Sequence, residues 1–156
     1  MTDLIYKKAT IDDITILTET RIDVLRAANK LPSDLDMSEV KEQSYHYYEK
    51  SLPSRSCIAY LVFDGARFVG SGGISFFQVM PTYHNPSGNK AYIMNMYTAP
   101  EYRRKGIAYK TLNLLVEEAK SRGITDISLE ATDMGRPLYE KYGFVKMDDE
   151  MKLQSQ

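Results

Sequence analysis

The segment Tyr97–Lys120, YTAPEYRRKGIAYKTLNLLVEEAK, constrains this chain more than any other stretch. The apolar run that leads into it, Tyr92 to Tyr97, reads as a strand. Pro100 ends that strand, because proline has no amide to give to a ladder. Arg103-Arg104-Lys105-Gly106-Ile107-Ala108 then forms a short basic turn. Ala108, Leu112, Leu115, Val116 and Ala119 fall at helical spacing, so a helix with one apolar face begins at the turn. A strand, a glycine turn and a helix N-terminus in succession can hold a phosphate. The first amides of a helix lack intrahelical acceptors, and the helix dipole favours an anion beside them. Gly106 lets the backbone approach closely. The alternative is a solvated basic turn ahead of an ordinary amphipathic helix, and one glycine with three basic residues does not separate the two.

The spacing does more. Arg103-x-x-Gly106-x-Ala108 resembles the Q/R-x-x-G-x-G/A pyrophosphate loop of the GNAT superfamily of N-acetyltransferases. It is neither a Walker loop nor a dinucleotide fingerprint, since no Gly-Lys-Ser/Thr follows and the G-x-G-x-x-G spacing is absent. Further on, Leu138-Tyr139-Glu140-Lys141-Tyr142-Gly143-Phe144 resembles the second signature of that family, and Phe68-Val69-Gly70-Ser71-Gly72-Gly73 resembles its third strand. Two signatures in order, separated by a helix and a strand, are more specific than either alone. The resemblance is strong from Ile93 to Phe144 and loose elsewhere.

Length and charge narrow the class. The chain has 156 residues, enough for one domain with a real core, expected to span residues 1–156. Twenty basic residues against 21 acidic ones argue against bulk nucleic-acid binding, which needs a broad basic face. The single cysteine, Cys57, allows no internal disulfide and hints at no metal cluster. No apolar run reaches the ~18 residues of a membrane helix, and the N-terminus lacks a signal-peptide core, so a soluble, cytoplasmic protein without membrane partners is expected.

The remaining elements follow in order. Leu4 to Lys7 reads as a strand, and Thr10 as the N-cap of a helix reaching about Asn29. Arg21 interrupts the apolar face of that helix and reads as a snorkelling side chain at the core edge. A loop, Lys30 to Met37, precedes a second helix from Ser38 to about Ser51, rich in Tyr45, His46, Tyr47 and Tyr48, with Pro53 closing the region. Cys57–Phe63 and Ala66–Val79 read as a hairpin about Asp64-Gly65, with glycines marking a bulge or a close approach. Met80–Lys90 is a long loop. After the long helix come a strand at Ile127–Ala131, a short helix at Leu138–Tyr142 with Pro137 in its first turn, and final strands supplied by Phe144, Val145, Met147, Met151 and Leu153.

The resemblance implies an α/β (α+β) fold of GNAT type: a mixed, mostly antiparallel central sheet with helices on both faces and a splayed pair of central parallel strands, Ala91–Thr98 and Ile127–Thr132. It implies an enzyme that moves an acetyl group from acetyl-CoA, a co-substrate, directly to a primary amine of a small molecule, with no metal. Acetylation of a protein or peptide amine and a non-catalytic acyl-CoA sensor stand as alternatives, and a homodimer is left open. Carried onto this sequence, Met96, Tyr97 and Thr98 would pair with the pantetheine arm. Arg103, Arg104, Lys105, Gly106, Ile107 and Ala108 would cradle the pyrophosphate, and Thr111 would add a hydroxyl. Thr132 stands where many relatives have Asn. Tyr139 would be the catalytic acid. Many relatives carry a Glu on the fourth strand as general base; Ala91–Thr98 has no carboxylate, and Glu130 reads better as a surface residue. The loop 80–90, with Tyr83 and His84, and the 30–37 segment are expected to shape the acceptor pocket.

Overall fold

The computed structural model describes residues 3–155. Five strands form one sheet in the order β1-β2-β3-β4-β5: β1 Leu4–Lys8, β2 Cys57–Asp64, β3 Arg67–Gln78, β4 Asn89–Thr98 and β5 Asp126–Leu129. The first four pair antiparallel and β4–β5 is parallel. Helices α1 (Ile14–Asn29), α2 (Ser38–Ser54), α3 (Ile107–Ser121) and α4 (Arg136–Tyr142) complete the α/β fold. No helix among the described residues is long and apolar enough to cross a membrane.

Strand alternation divides the core in two. Cys57, Ala59 and Leu61 of β2 pack with Leu17, Tyr48 and Leu52 of α1 and α2. Ile58 and Tyr60 face the other way, onto Leu112, Leu115, Val116 and Ala119 of α3, with Tyr139 of α4 closing that side. Each apolar residue of β2 therefore serves one of two helical layers, which is why the strand reads as an unbroken apolar run. Thr10 and Asp13 form a capping box ahead of α1, as the N-cap residue type predicts.

Two expectations fail. Helix α2 runs through Pro53 to Ser54, because a missing N–H in the last turn costs one bond while Leu52 beside it is buried. No strand follows α4 among the described residues. Val145, Met151 and Leu153 are almost fully exposed. Their apolar pattern is broken by Lys146 and Asp148-Asp149-Glu150, and β5 offers an edge of only four residues.

The glycines of β3 set how closely α3 seats on the sheet. A Cβ built on Gly72 would lie 2.7 Å from Thr111 Cγ2, 2.8 Å from Met96 Sδ and 3.0 Å from Leu115 Cδ1. Gly72→Val is expected to destabilise the protein by about 1–3 kcal/mol through overpacking. At roughly 2–4 °C per kcal/mol for a chain of this size, a thermal melt will register the loss.

Candidate active site

The sheet is irregular on β4, where its two halves have different neighbours. Pairing with β5 runs from Lys90↔Asp126 to Ile93↔Leu129 and stops, so from Met94 onward β4 has no partner on that side among the described residues. On the β3 side, Gly73 pairs with Met94 and Ser71 with Tyr97, leaving Asn95 and Met96 opposite Gly72. This is a β-bulge, and Asn95 takes φ 61° within it. Ser71 Oγ donates to the Asn95 carbonyl at 2.8 Å, and Arg21 Nη1 donates to Asn95 Oδ1 at 3.0 Å. Both contacts hold a backbone that a regular strand would not adopt.

Beyond Thr98 the chain makes a single 3₁₀ turn at Pro100–Tyr102 and enters α3 through Arg103–Gly106. Arg104 (φ 63°) and Gly106 (φ 84°) are both left-handed. Among the described residues, no acceptor takes the amides of Arg104, Lys105, Gly106, Ile107, Ala108 or Tyr109; the first bonded amide is that of Lys110, on the Gly106 carbonyl. Six consecutive N–H groups around left-handed residues at a helix N-terminus form an anion-binding concavity. Nothing lies within 4 Å of a Cβ built on Gly106, so the approach is open. None of Arg103, Arg104 and Lys105 has a carboxylate within 4.0 Å among the described residues. Arg103 Nε donates to the Thr98 carbonyl at 3.3 Å, and the Lys105 ammonium sits 5.3 Å from the Tyr102 ring centre.

Other expected residues are placed as follows. Met96, Tyr97 and Thr98 lie half-buried on the half of β4 that β5 leaves free, with Tyr97 stacked on Phe68 and Thr98 Oγ1 buried without a partner. Thr132 Oγ1 accepts from the Gly135 amide at 3.1 Å, ahead of α4. A Cβ on Gly135 would sit 3.3 Å from that oxygen and 3.0 Å from Tyr139 Cε2, so Thr132 and the Tyr139 ring flank the same spot. The Tyr139 ring is buried against Phe144, while its hydroxyl makes no hydrogen bond to any described residue. Burial pushes its pKa above the ordinary phenol value.

Thr111 is a correction. Its side chain is 1 % exposed, it faces β3, and its Oγ1 donates to the Ile107 carbonyl at 2.9 Å. It stands four residues after Ile107 and four before Leu115, on the buried stripe, so it offers no hydroxyl to a ligand.

A cleft of about 290 Å³ opens on the α1–α2 face of the sheet. Tyr47, Tyr48, Ala59, Ile74 and Met94 give it apolar lining, and Arg21, Gln43, Ser44, Ser75 and Asn95 bring polar groups to it. The loop 80–90 and the 30–37 segment do not line it. Tyr83 is 92 % exposed, because the β3–β4 ladder extends to Gln78↔Asn89 and carries the loop to the end of β4 opposite the bulge. The 30–37 segment is tied back to α1 by Arg26, which donates to the carbonyls of Pro32 and Leu35. Arg21, taken from sequence as an edge residue, is in the cleft; an arginine four residues after the buried Leu17 was the signal for it. Burial raises the pKa of Tyr47 to about 12, that of Tyr48 further, and that of the Cys57 thiol, so all three stay protonated near neutrality. Glu130 is exposed just past β5.

The family profile described as "Acetyltransferase (GNAT) family" matches residues 24–144. The chain belongs to the acetyltransferase (GNAT) family. A predicted acetyltransferase of Clostridium acetobutylicum, solved with acetyl-CoA, is 34% identical over 97% of this chain and 96% of that one, with a TM-score of 0.88. Among curated proteins, an uncharacterized N-acetyltransferase, YsnE of Bacillus subtilis (strain 168), is 40% identical over 33% of this chain and 38% of its own length. Glucosamine 6-phosphate N-acetyltransferase of Trypanosoma brucei brucei is 26% identical over 56% and 57%. The matched region thus spans between about two fifths and three fifths of these curated relatives. The architecture matches that of this family, with the expected mostly antiparallel sheet and its parallel β4–β5 pair.

Proposed function

We propose that this chain, acting as one acetyltransferase domain in the cytoplasm, transfers the acetyl group of acetyl-CoA directly to a primary amine of a small molecule. The row of six acceptor-free amides from Arg104 to Tyr109 carries the reading. It fits the pyrophosphate of acetyl-CoA, with Arg103, Arg104 and Lys105 adding charge and Met96 to Thr98 receiving the pantetheine arm. Tyr139 supports an enzyme over a sensor: its hydroxyl is free of protein partners and can give a proton to the departing sulfur. The cleft supports a small acceptor over a peptide, since about 290 Å³ lies at the small end of ligand pockets. Thr132 holds the turn that presents Tyr139. The test is calorimetry with acetyl-CoA followed by thiol release in the presence of amines; absence of acetyl-CoA binding sinks the reading.

The cleft also sets the pH dependence. No carboxylate lines it, and Tyr47, Tyr48 and Cys57 hold their protons. The amine must then reach the site neutral. Its neutral fraction rises tenfold per pH unit below its own pKa, about 8 for an α-amine and about 10.4 for an alkyl amine. Tyr139 must be protonated, and burial, which raises its pKa above the ordinary phenol value of about 10, keeps it so up to about pH 9. The logarithm of kcat/KM is expected to climb with unit slope from about pH 6 to the pKa of the amine or to about pH 9, whichever is lower. A plateau set near pH 6 for every amine would reveal an enzyme base and contradict this account.

A further inference from the structure

Among the residues that line the cleft, Arg21 is the one charged side chain. It is half-buried, and no carboxylate among the described residues lies within 4.0 Å of it. One of its five N–H donors is used, on Asn95 Oδ1 at 3.0 Å. A guanidinium against apolar walls with donors to spare is poorly compensated, since partly buried charges are normally paired. Its planar fork suits a carboxylate or a phosphate. The same charge repels a polycation, and the cleft has no acidic side chain to offset it.

We propose that the amine accepted in this cleft carries an anionic group, carboxylate or phosphate, which Arg21 binds while the apolar walls cover the rest of the molecule. The proposal rests on the acetyl-transfer reading and names its substrate class: small amino acids or amino phosphates, with polyamines excluded. Asn95 ties the anion site to the chemistry. The same side chain that accepts from Arg21 belongs to the bulge next to Met96, so the anion would anchor the acceptor beside the free half of β4.

Matched probes test this: leucine against leucinamide, phosphoethanolamine against ethanolamine, and spermidine as the polycation. Each is titrated by calorimetry into the protein with coenzyme A present, and each is assayed in parallel for N-acetylated product. Losing a charge-assisted contact costs about 10- to 100-fold, so at least one anionic probe, compared per neutral amine because an anion raises the pKa of the amine beside it, is expected to surpass its neutral partner by about tenfold or more. The leucine and phosphoethanolamine arms show which anion is preferred. Arg21→Gln is expected to bring the ratio near one, and Arg21→Lys to restore part of it. The ratio is read within one protein, so a general loss of activity does not mimic the effect. Equal binding of charged and neutral partners, no binding of either anionic probe, preference for spermidine, or an undiminished ratio in Arg21→Gln overturns the proposal. Should Arg21→Gln fail to fold, the wild-type ratios decide alone. A clear binding ratio without acetylated product upholds the anion site and refutes the transfer reading; product without a ratio does the reverse.

Discussion

Gly106→Val is expected to weaken acetyl-CoA binding by about a hundredfold. Two effects combine. The glycine sits at φ 84°, where a β-branched residue is strained, so the amides on either side lose their alignment. The added methyls also project into the open space above the loop, where nothing lies within 4 Å. Loss of one or two charge-assisted hydrogen bonds at about 1.5–3 kcal/mol each gives the hundredfold figure, at about 1.4 kcal/mol per tenfold. Stability should fall only by the backbone strain, about 1–2 kcal/mol, because Gly106 is exposed and packs against nothing. Calorimetry together with a melting curve checks both halves. Unchanged affinity in a folded Gly106→Val protein would remove the pyrophosphate from this loop.

Tyr139→Phe is expected to lower kcat by about a hundredfold and to leave acetyl-CoA affinity nearly unchanged. General acid catalysis contributes about 10²–10⁴-fold, and a thiolate is already a fair leaving group, so the low end applies. The substitution keeps the ring that packs on Phe144 and inside the α3 side of the core. It removes a hydroxyl that no described residue uses, so no protein donor or acceptor is orphaned. Steady-state kinetics at saturating amine measure the effect. Full kcat in a well-folded Tyr139→Phe protein would hand the proton to water and reduce Tyr139 to a packing residue.

Local signals were legible in the sequence and long-range ones were not. The Arg103–Ala108 turn could be placed because a strand, a proline stop, a glycine and a helical period follow one another within a few residues. Thr111 was misassigned although the same period marked it: a residue midway between Ile107 and Leu115 belongs to the buried stripe, and the analogy with a ligand-binding helix overrode the geometry. The loop 80–90 looked functional because it precedes β4. Yet a loop that enters a strand lies at the opposite end from the bulge and the end of β5 pairing, which come later on the same strand. Arg21 and Asn95 are 74 residues apart, and no local pattern reports that they meet. The strands expected after α4, which do not form among the described residues, fail for a similar reason, since apolar residues form a strand only where an edge is offered to them.

The account stands or falls on direct transfer from thioester to amine. The decisive measurement incubates the protein with acetyl-CoA isotopically labelled in the acetyl group and with leucine or phosphoethanolamine. Mass spectrometry then follows the small molecules and the intact protein together. The predicted result is labelled acetyl on the nitrogen of the amine, one coenzyme A released per product, and an unmodified protein throughout, because the buried Cys57 thiol stays protonated. Labelled acetyl held on the protein as an intermediate, or coenzyme A released with no acetylated amine, would contradict it.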